Sequence, residues 1–306
     1  MLRLSQAAIP VLALAIACAA PPQRPASLGL PALGQQAYQA IWEFHPVNAT
    51  YNGFHDFDAR LGHYAPKTTA AFVSRLEQFV SQTEKLDTSA LSLDEQIDRA
   101  LLLSNLRMEL FRIRTLKVLE TNPGVYADEC VQGIYYLLLR DFAPLSVRAQ
   151  SVVSRMAEVL QVLADARANV RNPPRLYAQA AIEELRSGEE LYAATAQDLG
   201  EKVPELKDGL QKRSLQAIAA MQAYRQELEQ NLDQCPESFA MGQDNYDYCL
   251  RTDHFLPFDS DSLLHLGENV FRETDSLIRL LQQQRADYEK TIERLPEPFI
   301  PAPRAF

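Results

Sequence analysis

Residues 145–170 read LSVRAQSVVSRMAEVLQVLADARANV, and after a break at Asn172-Pro173-Pro174, residues 175–198 read RLYAQAAIEELRSGEELYAATAQD. The first run places Val152, Met156, Val159, Leu163 and Val170 on one stripe at helical spacing. Both runs are dense in Ala, Leu, Glu, Gln and Arg, which lose little rotamer freedom in a helix. The double proline stops one helix and opens the next, because proline lacks the N–H that a helix interior needs yet fits a first turn. The fold class is therefore all-α.

The same grammar continues on both sides. Gly34 to Phe44 is a short amphipathic piece, and about Thr68 to Lys85 carries Phe72, Leu76, Phe79 and Val80 at helical spacing. Ser92-Leu93-Asp94-Glu95 is a capping box, in which the Ser and Glu side chains each satisfy an orphan N–H. It opens a helix predicted to run to about Leu119, with apolar residues on several faces and so burial on more than one side. Asn122-Pro123-Gly124 is a turn. Further helices are expected over Tyr126 to Arg140, Pro204 to about Leu232, and Asp259 to about Tyr288. The last has Leu263, Leu266, Val270, Leu277 and Leu281 as its stripe. Residues 233–258 show no helical period. No strand alternation or fixed-period repeat is found. The reading is a multi-helix array of about seven to eight helices.

The chain has 306 residues, 47% hydrophobic and 23% charged, which excludes a wholly disordered chain and allows a sizeable core. Its net charge of −10 argues against nucleic acid as a partner, since a phosphate backbone needs a basic face. No apolar run reaches the ~20 residues that span a bilayer. The first residues instead read as an export signal: Arg3, an apolar run from Ala7 to Ala17, then small residues into Cys18. Ala15-Ile16-Ala17 fits ordinary signal cleavage. Leu14-Ala15-Ile16-Ala17-Cys18 also resembles a bacterial lipobox, in which Cys18 carries the lipid and becomes the mature N-terminus. The single Cys at the cut and the tether prolines Pro21, Pro22 and Pro25 favour lipidation. The expected organisation is a signal peptide over 1–17, a tether over 18–33 and a helical domain over 34–306. Ala19 rather than Asp after the Cys points to an outer membrane, with the chain facing the periplasm. The acyl chains would be the membrane contact, because an acidic chain has no affinity for anionic lipid.

Chemistry-bearing patterns are sparse. The five His include none followed by Glu, so the zinc-helix pattern is absent. His55, Asp56, Asp58 and His63 crowd a short loop whose donors suit zinc or manganese, but turn chemistry explains the same residues without a metal. His265 and Glu268 read as an i, i+3 pair on a solvated face. There is no Gly-x-Ser-x-Gly elbow, no Ser-x-x-Lys and no phosphate loop. Cys130 reads as a structural thiol. Cys235 and Cys249, 14 apart in the irregular stretch, are a disulfide candidate in an oxidising compartment, with free thiols the equal alternative.

Four blocks carry a resemblance. They are His45-Pro46-Val47-Asn48-Ala49-Thr50 with Gly53, His55, Asp58 and Leu61; Asn122-Pro123 with Tyr126, then Arg140-Asp141-Phe142-Ala143-Pro144 and Arg148; Asn172-Pro173-Pro174 with Ala181-Ile182 and Gly188; and Gly242, Tyr246 and Leu250, then Leu264, Gly267 and Glu268. In this order they resemble the bacterial family called domain of unknown function 885. That resemblance implies an exported helical lipoprotein similar to zinc metallopeptidases of the carboxypeptidase type. The family's metal motif, a His-Glu segment followed by Pro-Gly-His, is absent from this sequence, so the resemblance extends to the family's first half, half of a larger cleft-forming fold. It implies zinc for the full-length family and no cofactor bound by this chain. The implied partners are the membrane through the lipid, and a peptide or the missing C-terminal half. The cleft or loop candidates are His55, Asp58, His63 and Tyr246; no residue is assigned to catalysis or to metal. The function implied is the N-terminal half of a metallopeptidase-like lipoprotein, inactive alone. An envelope-anchored helical binding module without catalysis is the alternative.

Overall fold

Proline in the first turn starts α1 (Leu30–Phe44), α2 (Pro46–Tyr51) and α3 (Pro66–Glu84) in the computed structural model, which describes residues 29–293. The signal peptide, Cys18 and most of the tether lie outside the described residues. The elements that follow are α4 (Leu93–Arg114), α5 (Val118–Thr121), α6 (Gly124–Leu139), α7 (Leu145–Asn169), α8 (Arg175–Lys202), α9 (Lys207–Asn231), α10 (Gln243–Thr252) and α11 (Ser260–Glu293). Among the described residues there is no strand. The eight long helices are those the sequence pattern marks; α2, α5 and α10 are short additions.

The capping box forms in full: Ser92 N–H donates to Glu95 Oε2 at 2.8 Å, and Glu95 N–H to Ser92 Oγ at 3.3 Å. At α11, Ser262 N–H donates to Asp259 Oδ1 at 2.8 Å, the expected cap. Four boundaries differ from expectation. Residues 30–33 belong to α1 rather than to a tether, because Leu30 and Leu33 are buried in the core. The helix expected to reach Leu119 breaks after Arg114, where Lys117 takes a left-handed φ of 52°. The break swings Leu119 inward, and the Tyr126 hydroxyl then holds its carbonyl at 2.8 Å. α8 continues beyond Asp198 to Lys202, since Leu199 and Gly200 are buried. The stretch 233–258 is not wholly irregular, because it contains α10, anchored by buried Leu250 and by Ser104 Oγ donating to Thr252 O at 2.7 Å.

Packing sorts the helices into two groups joined by one core. α6, α7, α8 and α9 form one, with α8 and α9 the most extensive pair across the turn Pro204–Leu206. α1, α3 and α4 form the other, and α2 bridges α1 to α6. α4 buries one side against α3 and α1 and another against α10, as its mixed faces predict. Gly188 of α8 matters here. A Cβ there would come within 2.7 Å of Val131 Cγ2 and 3.2 Å of Met221 Sδ, so the bare backbone lets three helices close up. Between the groups the chain from Asn52 to Ala65 runs without helix, and it closes one end of the site described next.

Candidate functional site

Three helix faces converge on a cleft of about 680 Å3. α6 contributes Val125, Asp128, Glu129, Gln132 and Tyr136, which share one face at i, i+3, i+4, i+7 and i+11. α4 contributes Asn105, Met108, Glu109 and Arg112 by the same rule. α1 contributes Tyr38, Ile41 and Trp42, and the start of α2 contributes His45 and Asn48. Asp253, at the end of α10, completes the rim. The lining is aromatic, amide and acidic.

The floor holds two partnered carboxylates, Glu109 and Glu129. His45 Nε2 lies 2.6 Å from Glu109 Oε1. Burial opposes charge on the imidazole, but the hydrogen bond to Glu109 and the charges of Glu109 and Glu129 outweigh it and raise the His45 pKa. Burial likewise opposes charge on Glu109, yet the bond and charge of His45 lower its pKa. The pair is thus an ion pair at the base of the cleft. Glu129 accepts from Gly62 N–H at 2.6 Å and from the Tyr64 hydroxyl at 2.8 Å. Its pKa is raised, because burial outweighs those two bonds and the nearby cations. The Tyr64 hydroxyl is pushed well up by burial and by the Glu129 charge. Asp128, beside Glu129, is pushed up to about 6 by desolvation, then by Glu184 and Glu129.

The loop residues marked in the sequence build a clamp at one end of the cleft. Arg155 is fully buried. Its guanidinium donates to Gly133 O at 2.6 Å, Thr50 Oγ1 at 2.6 Å and Arg60 O at 2.9 Å. Thr50 donates in turn to Asp58 Oδ1 at 2.6 Å, and His55 Nδ1 sits 3.0 Å from Asp58 Oδ2. The His55 ring stacks on Phe142 with centroids 3.7 Å apart. His63 lies apart from that network, with Nε2 3.9 Å from Glu158. His55 and Asp58 are thus bonded within the loop and to Thr50, and His63 faces Glu158 of α7. Among the described residues no three His, Cys, Asp or Glu side chains are grouped to hold a metal ion. Tyr246 is exposed on α10, and that helix reaches the cleft through Asp253 instead. His265 and Glu268 face each other at 3.7 Å on the exposed side of α11. Cys130 is buried, its thiol pushed well up by burial. In this structure Cys235 and Cys249 are free thiols, and Cys235 Sγ donates to Asn231 O at 3.5 Å.

Sequence reasoning missed His45, Glu109, Asp128 and Glu129 as site residues. His45 was visible as the head of the first block, and α6 sits just after Asn122-Pro123 in the second. Glu109 carries no local signal, since its partner lies 64 residues away. Of the other block residues, Asn48 and Asn122 line the cleft, while Arg148 is structural. Arg148 is buried and donates to Asp141 Oδ1 at 2.5 Å and Ala143 O at 3.0 Å, which fixes the α6–α7 turn.

No curated protein matches the chain. A solved structure of a protein classed as a lipoprotein of unknown function, from Shewanella oneidensis, is similar in fold with a TM-score of 0.74 and 19% sequence identity. The match covers 89% of this chain and 50% of that one, so the chain spans half the length of that relative. The sequence family described as bacterial protein of unknown function (DUF885) matches residues 46–304. The chain belongs to that family.

Proposed function

We propose that this chain is the cleft-bearing half of an exported, lipid-anchored, metallopeptidase-like protein, and that it is inactive until a second half adds the family's His-Glu and Pro-Gly-His segments. In this reading Cys18 holds the chain at the outer membrane, facing the periplasm, and the cleft between α1, α4 and α6 receives a peptide. The observation that carries it is α11. This helix of 34 residues packs chiefly on α10. Its apolar stripe, including Leu266, Val270, Phe271, Leu277, Leu281 and Tyr288, is exposed. A contiguous apolar face of this length is unusual on a monomer and marks a surface meant to be covered. It is not a membrane span, since no described helix is long and apolar enough to cross a bilayer. A relative twice as long in the same fold supports a covering segment of the same family.

The cleft itself favours a second reading, an envelope-anchored binding module without catalysis, because its concave aromatic, amide and acidic lining suits the holding of a ligand. Dye binding and sedimentation of the purified mature chain separate the two. The half-protein reading expects strong fluorescence of a hydrophobic dye and concentration-dependent self-association, both reduced by Leu277→Ser with Leu281→Ser. A monomeric, dye-silent chain that melts cooperatively would overturn it in favour of the binding module.

A further inference from the structure

Asp128 and Asp253 differ from the two glutamates of the cleft. Glu109 is held by His45, and Glu129 by Gly62 and Tyr64. The carboxylates of Asp128, exposed on α6, and of Asp253, at the end of α10, have no hydrogen-bond or ion-pair partner among the described residues. Four carboxylates line the cleft (Glu109, Asp128, Glu129 and Asp253) against one guanidinium, Arg112, and the charged His45. Arg112 lies 3.9 Å from Glu109, so no cation in the cleft is left over for Asp128. The rings of Tyr38, Trp42 and Tyr136 line the same space. An anionic ligand would meet an excess of like charge here. A cation would meet a carboxylate that lacks a counter-charge and rings whose faces attract positive charge.

We propose that the cleft takes the ammonium group of a peptide ligand, with the Asp128 carboxylate as its counter-ion and the rings of Trp42 and Tyr136 flanking the chain that bears it. This rests on reading the cleft as the peptide site. Asp128 stands exposed to the cleft beside buried Glu129, where partial desolvation, Glu184 and Glu129 raise its pKa to about 6, so a bound cation would be favoured there.

Trp42 is the one tryptophan of the chain and lines the cleft, so its emission reports occupancy directly. Three probes are titrated into the purified chain near neutral pH: trialanine amide, its N-acetylated form, and N-acetyl-lysine amide. The expected result is a saturable change with one or both ammonium probes and at least tenfold weaker binding of the acetylated tripeptide. Which ammonium probe binds tells a chain terminus from a lysine side chain. Asp128→Asn should weaken ammonium binding at least tenfold without lowering the melting temperature. Binding should also weaken as pH falls through about 6, where Asp128 takes up a proton. The titratable groups set against it are Glu129 and Tyr136 on α6 and Glu184 on α8, and Glu109, Arg112, His45 and Asp253 line the same cleft. Equal binding of the acetylated probe, or full binding by Asp128→Asn, would overturn the ammonium assignment and leave the peptide cleft standing. Silence with all three probes would overturn both.

Discussion

Arg155→Leu tests whether one buried cation holds the cleft together. The guanidinium makes three short bonds, at 2.6, 2.6 and 2.9 Å, that join α7 to α6, to α2 and to the loop before α3. Hydrogen bonds to a charged group contribute about 1.5–3 kcal/mol each, so the three together contribute about 5–9 kcal/mol. A buried Leu side chain recovers about 2 kcal/mol through its own apolar burial. The net loss is therefore about 3–7 kcal/mol, and about 4 kcal/mol matches the cost of breaking a buried charge network from one side. For a chain of this size that lowers the melting temperature by about 10 °C. Far-UV circular dichroism reads the global loss. Trp42 emission reads the local one, because its ring stacks on Phe54 of the loop at 3.6 Å and should become wetter as the loop loosens. Arg155→Lys should recover less than half of the loss, since one ammonium cannot span three separated acceptors. A melting temperature within about 2 °C of the parent for Arg155→Leu would refute the clamp, because a shift that small corresponds to less than about 1 kcal/mol.

The His45–Glu109 ion pair predicts a pH window. The folded pKa of His45 is raised above 6.5, so its contribution is complete below 6.5 and lost as pH rises through the raised value. Glu109 is lowered below 4.5, so its contribution is present above 4.5 and lost as pH falls through the lowered value. His45→Gln should therefore lower thermal stability most between about pH 5 and 6.5, with the gap to the parent narrowing at alkaline pH; a gap independent of pH would count against the ion pair. Gly188→Val should cost about 1–3 kcal/mol by forcing Val131 and Met221 apart, whereas Gly267→Ala, with nothing within 4 Å on α11, should be neutral or stabilising. Urea titration of both variants checks the contrast, and equal effects would contradict the packing described. Cys18→Ala should move the protein from the membrane to the soluble envelope fraction, and unchanged fractionation would rule out the lipid anchor.

Much of this protein was legible from its sequence, because helix formation is a local matter. The stripe of α7, the Pro173-Pro174 break and the Ser92–Glu95 box each act within a few residues, and each appears where the spacing puts it. So does the apolar face of α11, although its exposure does not follow from periodicity: a stripe says that a helix wants cover and is silent on whether cover is present. Boundaries failed where tertiary demand overrode local preference. The left-handed turn at Lys117 ends a good helix former early so that Leu119 can reach the core, and buried Leu250 draws a short helix out of an apparently aperiodic stretch. The site was the least legible part. His55, Asp58 and His63 drew notice because they are close in sequence, yet they bond within a loop and its supports. The residues that meet in the cleft come from α1, α2, α4, α6 and the end of α10, and His45 finds Glu109 across 64 residues. Sequence alone set the helices, their caps and the acidic character of the chain, since those depend on neighbours along the backbone. Only the packing of helices around buried Arg155 and Gly188 decided which acids would share a cavity, which would be neutralised by a partner, and which, Asp128 and Asp253, would be left at the cleft without one.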